Sequence, residues 1–112
     1  MIEAKLADLA FTANRWPPAA DLPTVLFIHG SGGSSGLWHH QVEGLGSAAN
    51  AVAVDLPGHG ASGGAGRDRV EDYARDLAAF VERASLPRPI PCGLSIGGAI
   101  VLQLLLDRKS GG

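Results

Sequence analysis

The 112-residue sequence is poor in several features, and each shortage excludes a class of protein. A single cysteine, Cys92, leaves no disulfide framework and no cysteine-based zinc site, so nothing ties the chain to an oxidising compartment. Charge is sparse and nearly balanced, nine Lys and Arg against eleven Asp and Glu, which offers no electrostatic footprint for nucleic acid or an anionic membrane. At the N-terminus, Glu3 and Asp8 stand where an export signal needs basic residues followed by an unbroken apolar stretch. The longest apolar segment, Ala99 to Leu106, is interrupted by Gln103 and falls far short of the roughly twenty residues of a membrane span. The expectation is a cytoplasmic protein with no metal and no cofactor, and with neither nucleic acid nor membrane as partner.

What is abundant is apolar residues, at 46%, and glycine, at sixteen positions. VLFIHG (25–30) and AVAVD (51–55) read as short buried strands, and PIPCG (89–93) as a further strand. Helical spacing follows each: Leu37, Trp38, Val42 and Leu45 in the first segment, and an apolar stretch from Ile96 to Arg108 in the last. Between them, Val70, Tyr73, Leu77, Phe80, Val81 and Ala84 line one face of a helix over 69–84, with Asp68 and Glu71 as its expected N-cap pair. Upstream, residues 6–16 alternate loosely and predict one or two half-exposed strands, followed by a stiff turn over 17–23. Strand, loop and helix repeated in this way predict an α/β fold, a parallel-dominated sheet flanked by helices.

In such a sheet ligands gather beyond the carboxyl ends of the strands, where most of these glycines lie. The pattern G-x-S-x-G occurs three times, around Ser34, Ser62 and Ser95, so the pattern alone decides nothing. Only Ser95 stands directly between a strand and a helix, as a nucleophile elbow requires. Ser34 and Ser62 read as flexible turn serines.

HGSGGSSGLW (29–38), DLPGHGASG (55–63) and GLSIGGAIVLQLL (93–105) together resemble, in order and spacing, three loops of the α/β-hydrolase fold family, serine-nucleophile branch. The resemblance implies strands one to five plus the elbow helix, so that residues 1–112 form the N-terminal part of such a domain. It implies Ser95 as nucleophile, and the backbone N–H groups of Ser31 and Ile96 as the oxyanion hole. His29, Gly30, Gly93, Gly97 and His59 would organise the loops. The reaction implied is hydrolysis of an ester or related acyl bond of a small molecule, with carbon–carbon bond hydrolysis also open.

The family's triad also needs an acid and then a histidine after the nucleophile. After Ser95 this sequence has only Asp107 and no histidine, and Asp107 lies about 18 Å along the helix at 1.5 Å per residue. His39 and His40 read as exposed helix residues. A catalytically inactive hydrolase fragment or a binding protein, without turnover, is therefore a second reading. A third is a dinucleotide-binding module, from the near-match Gly30-Ser31-Gly32-Gly33-Ser34-Ser35 with Asp55 ending the next strand. Pro89 and Pro91 lack N–H groups and, two apart, turn to one side of their strand. They are expected to face an open sheet edge, through which self-association is the anticipated hazard, while Cys92 is expected to pack in the core.

Overall fold

The computed structural model describes residues 1–111. Its strands are Ile2–Leu6 (β1), Leu9–Ala13 (β2), Thr24–Ile28 (β3), Asn50–Val54 (β4) and Pro89–Gly93 (β5). Its helices are His39–Gly44 (α1, entered through a short 3-10 turn), Val70–Ala84 (α2) and Ile96–Gly111 (α3). The five strands form one sheet in the order β1-β2-β4-β3-β5, with β3 parallel to both β4 and β5, and β2 antiparallel to β1 and β4. The expected α/β class is observed.

Side-chain alternation divides the apolar residues between the two faces of the sheet. Leu26, Ile28, Val52 and Val54 pack with Tyr73, Leu77, Phe80 and Ile100 under α2 and α3. Phe27, Ala51 and Ala53 pack on the other face with Val42 of α1, where Trp38 stacks on Phe27 at 4.9 Å between ring centres. Each fully buried side chain of this size contributes about 1.5–3 kcal/mol, so the larger core under α2 carries most of the stability.

Several local expectations are corrected. β2 is buried throughout instead of half-exposed, because Phe11 meets Trp16 and Phe80 on one face while Thr12 reaches Ser35 on the other. Leu37 is exposed, since the first turn of that segment is 3-10 and rotates it away from Val42. The Asp68–Glu71 cap is absent: Arg69 is the N-cap of α2, makes no side-chain cap, and pairs instead with Glu71 at 2.5 Å.

β5 stands at the sheet edge. Thr24 N–H donates to the Arg88 carbonyl and Leu94 N–H donates to the Ile28 carbonyl, so even-numbered residues turn their backbone groups toward β3. Pro89 and Pro91 therefore face the open side, as expected. Cys92 is exposed, contrary to expectation, because it shares with Ile90 the face on which α1 is too short to cover β5.

Candidate active site

β5 passes into α3 with only Leu94 and Ser95 between them. The bond from Leu94 N–H to the Ile28 carbonyl, 3.1 Å, pins the turn against β3. Ser95 is held at φ +59°, the left-handed region, which costs a residue with a side chain about 1–3 kcal/mol. Its carbonyl then accepts from Gly98 N–H at 2.9 Å, starting α3 without delay. The turn is this tight because of its glycines: a Cβ on Gly93 would come within 2.2 Å of Gly97, and one on Gly97 within 2.4 Å of the Ile28 carbonyl oxygen. Ser95 is exposed at the end of the sheet.

The loop after β3 lies against this turn, with a Cβ built on Gly30 falling 3.2 Å from the Ser95 Cβ. Among the described residues, neither Ser31 N–H nor Ile96 N–H has a hydrogen-bond partner. The Gly30 carbonyl is engaged twice, by Gly33 N–H at 3.0 Å and by the His29 ring. His29 is fully buried; its Nε2 accepts from Leu56 N–H at 3.0 Å and its Nδ1 lies 2.6 Å from the Gly30 oxygen. Since Nε2 must accept, the neutral ring carries its proton on Nδ1 and donates it to Gly30. Burial pushes the His29 pKa below its ordinary value and the neighbouring His59 adds to this, against the opposing pull of the Gly30 carbonyl and Asp55.

His59 sits with its ring centre 5.0 Å from that of His29, and its Nδ1 lies 3.0 Å from the Pro57 carbonyl. Both histidines thus tie the loops after β3 and β4 together. Two contributors went unrecognised in the sequence. Asp55 is buried, its carboxylate accepting from Ser35 N–H at 2.6 Å and from Ala61 N–H at 3.1 Å, so it braces the loops from inside and is not presented at the surface as a ribose-binding acid would be. Ser62 is likewise buried and not a flexible turn residue, its hydroxyl accepting from Ala10 N–H at 2.9 Å and donating to the Asp55 carbonyl. An acid closing a buried strand and a serine inside a glycine-rich loop were the only signals available for them.

His39 and His40 are exposed on α1, and Asp107 bonds to Gln103 at 2.9 Å far along α3; none of the three is brought to Ser95. No group of three or more His, Cys, Asp and Glu among the described residues could hold a metal ion. No described helix is long and apolar enough to cross a membrane. A groove of about 390 Å³ between α2, α3 and β5 is lined by Pro89, Pro91, Leu104 and Asp107, at the end of β5 away from Ser95.

Residues 23–110 match the family described as the alpha/beta hydrolase fold. The chain belongs to that family. Over 90 residues it is 37% identical to the magnesium-chelatase 30 kDa subunit of Rhodobacter capsulatus, a match covering 79% of this chain and 32% of the relative. It is 35% identical over 85 residues to a pimeloyl-[acyl-carrier protein] methyl ester esterase of Nitrosomonas europaea, covering 76% of this chain and 32% of that protein. Among solved structures it resembles the N-acyl homoserine lactonase AidH complexed with N-butanoyl homoserine, with a TM-score of 0.77 and 25% identity over 95% of this chain and 40% of the other. The α/β-hydrolase family member thus spans about a third of the length of these curated relatives. Its relatives make it hydrolase-like by resemblance.

Proposed function

We propose that this α/β-hydrolase chain carries the nucleophile and the oxyanion hole of a serine hydrolase site acting on an ester or related acyl bond of a small molecule. The observation that carries the reading is the left-handed φ of Ser95, +59°, at an immediate strand-to-helix junction. Such a conformation persists only where the surroundings impose it, and here it lifts a hydroxyl clear of the sheet beside the helix N-terminus.

In this reading Ser95 Oγ attacks the acyl carbon and the carbonyl π pair moves onto oxygen. The resulting oxyanion lies between the N–H groups of Ser31 and Ile96, neither of which is spent on an internal bond. Collapse expels the leaving group and leaves an acyl-enzyme, which water then hydrolyses. The serine proton must pass to a base and on to the leaving group. No histidine follows Ser95 in this sequence, and His39, His40 and Asp107 are not brought to Ser95, so the reading assigns the chain the nucleophile and the oxyanion donors and assigns no base. The esterase and lactonase names of the relatives support an acyl substrate.

The test is labelling with a fluorophosphonate probe, with peptide mapping, beside turnover of a short-chain nitrophenyl ester. With no base beside the hydroxyl, slow labelling is expected at Ser95 and none in Ser95→Ala, with little or no ester turnover by this chain alone. Labelling that persists in Ser95→Ala, or that maps elsewhere in the parent, defeats the assignment.

A further inference from the structure

We propose that the substrate of this site carries a neutral, apolar acyl group and that Leu94 is the residue that selects it; this rests on the reading of Ser95 as nucleophile and extends it to substrate class. The segments that meet around Ser95 are almost without charge. Across residues 29–38, 55–66 and 93–106, Asp55 is the one Lys, Arg, Asp or Glu, in a chain that is 18% charged. Asp55 itself is buried and spent inward, on Ser35 N–H and Ala61 N–H. The next charges along the chain are occupied elsewhere. Arg67 pairs with Asp76 at 2.9 Å, and both line, with Asp8, Leu9, Pro57 and Ser62, a separate hollow beside the start of β2. A charged acyl group would give up hydration at Ser95 and meet no counter-charge in return, a penalty that a neutral group escapes.

What the site presents instead is hydrocarbon. Leu94 is tied through its own N–H to the Ile28 carbonyl, yet it is 50% exposed. Leu37, in the 3-10 turn that follows the loop after β3, is 52% exposed. Single exposed leucines are ordinary on any surface, so exposure alone assigns nothing. Leu94 is distinguished by its place: its Cα lies about 3.8 Å from that of Ser95 across one trans peptide, and one tight turn fixes both backbones. An alkyl chain on an acyl group bonded to Ser95 therefore begins beside a leucine. Covering apolar surface is worth at most about fourfold in rate per methylene buried, and less on a half-open surface.

The test is the rate at which Ser95 of the full chain is labelled by fluorophosphonates that differ only in one chain: ethyl, butyl, hexyl, and a hexyl-length chain ended by a carboxylate or by an ammonium. Each rate is divided by the probe's own rate of hydrolysis, and each adduct is mapped. The rate should rise from ethyl to hexyl, and the hexyl probe should label about threefold or more faster than either charged one. The two charged probes should label alike at low and at high salt, because no local field distinguishes them. Leu94→Ala should bring the hexyl-to-ethyl ratio toward one. Leu94→Lys should favour the carboxylate probe over the ammonium probe, and salt should remove that preference. Equal rates for neutral and charged probes, a preference for one charge in the parent, or a chain-length dependence unmoved in Leu94→Ala each overturns the proposal. Absence of labelling at Ser95 by every probe defeats instead the site reading beneath it.

Discussion

Gly30 and Ser95 face each other across the end of the sheet: a Cβ added to Gly30 would lie 3.2 Å from the Ser95 Cβ and 3.8 Å from its Oγ. Gly30 has no left-handed φ, so alanine there meets crowding and no backbone strain. Gly30→Ala should reduce fluorophosphonate labelling of Ser95 about tenfold, because displacement by a few tenths of an ångström degrades a donor's geometry. Thermal unfolding should fall by only a few degrees, which separates damage at the site from damage to the fold.

The glycines inside the turn should behave differently. Alanine at Gly93 or Gly97 would place a Cβ 2.2–2.4 Å from backbone atoms that cannot give way cheaply. Each substitution should cost about 1–3 kcal/mol or more in urea unfolding. Gly44, in α1 with open space around it, is the control: Gly44→Ala should stabilise by about 0.5–1 kcal/mol.

Ser62→Ala removes a buried hydroxyl that serves both Ala10 N–H and the Asp55 carbonyl. Leaving such groups unpaired costs about 1–3 kcal/mol each, so a loss at the upper end of that range is expected in chemical denaturation. A change under 0.5 kcal/mol would show that solvent takes over both partners.

Burial holds the His29 pKa below its ordinary 6.5, so the unfolded chain binds this proton more readily than the folded one. Stability from the neutral ring is complete above about pH 6.5 and is lost as pH falls through the lowered folded value. Urea midpoints followed from pH 8 to pH 5 should therefore decline, and His29→Asn should flatten the histidine-dependent part of that decline.

The open edge of β5 carries two residues without N–H groups, Pro89 and Pro91. Replacing both by valine would restore two donors on an exposed edge strand rich in β-branched residues. Light scattering at matched concentration should show faster aggregation of the double variant than of the parent. Equal rates would mean that the edge is not where self-association begins.

Much of this was legible beforehand, and the reasons differ by element. The runs at 25–28 and 51–54 are read as buried strands because unbroken apolar stretches of that length have no other stable setting, and Ser95 is read as the elbow because strand and helix signals abut there. The parity of Pro89 and Pro91 followed from the two-residue repeat alone. Burial of β2 was not legible, since it depends on Phe80 and Ser35 arriving from distant segments. Exposure of Cys92 depends on how far α1 reaches, and helix ends are weakly encoded locally.

Local chemistry along the chain thus determines the α/β alternation, the elbow at Ser95 and the glycine-lined loops, all of which are properties of neighbours in sequence. Long-range contact decides that Asp55 and Ser62 are buried braces and that the His29 ring carries its proton on Nδ1. Each of these is set by which backbone donor or carbonyl meets the side chain, and those partners arrive only when the sheet brings the ends of β3, β4 and β5 together.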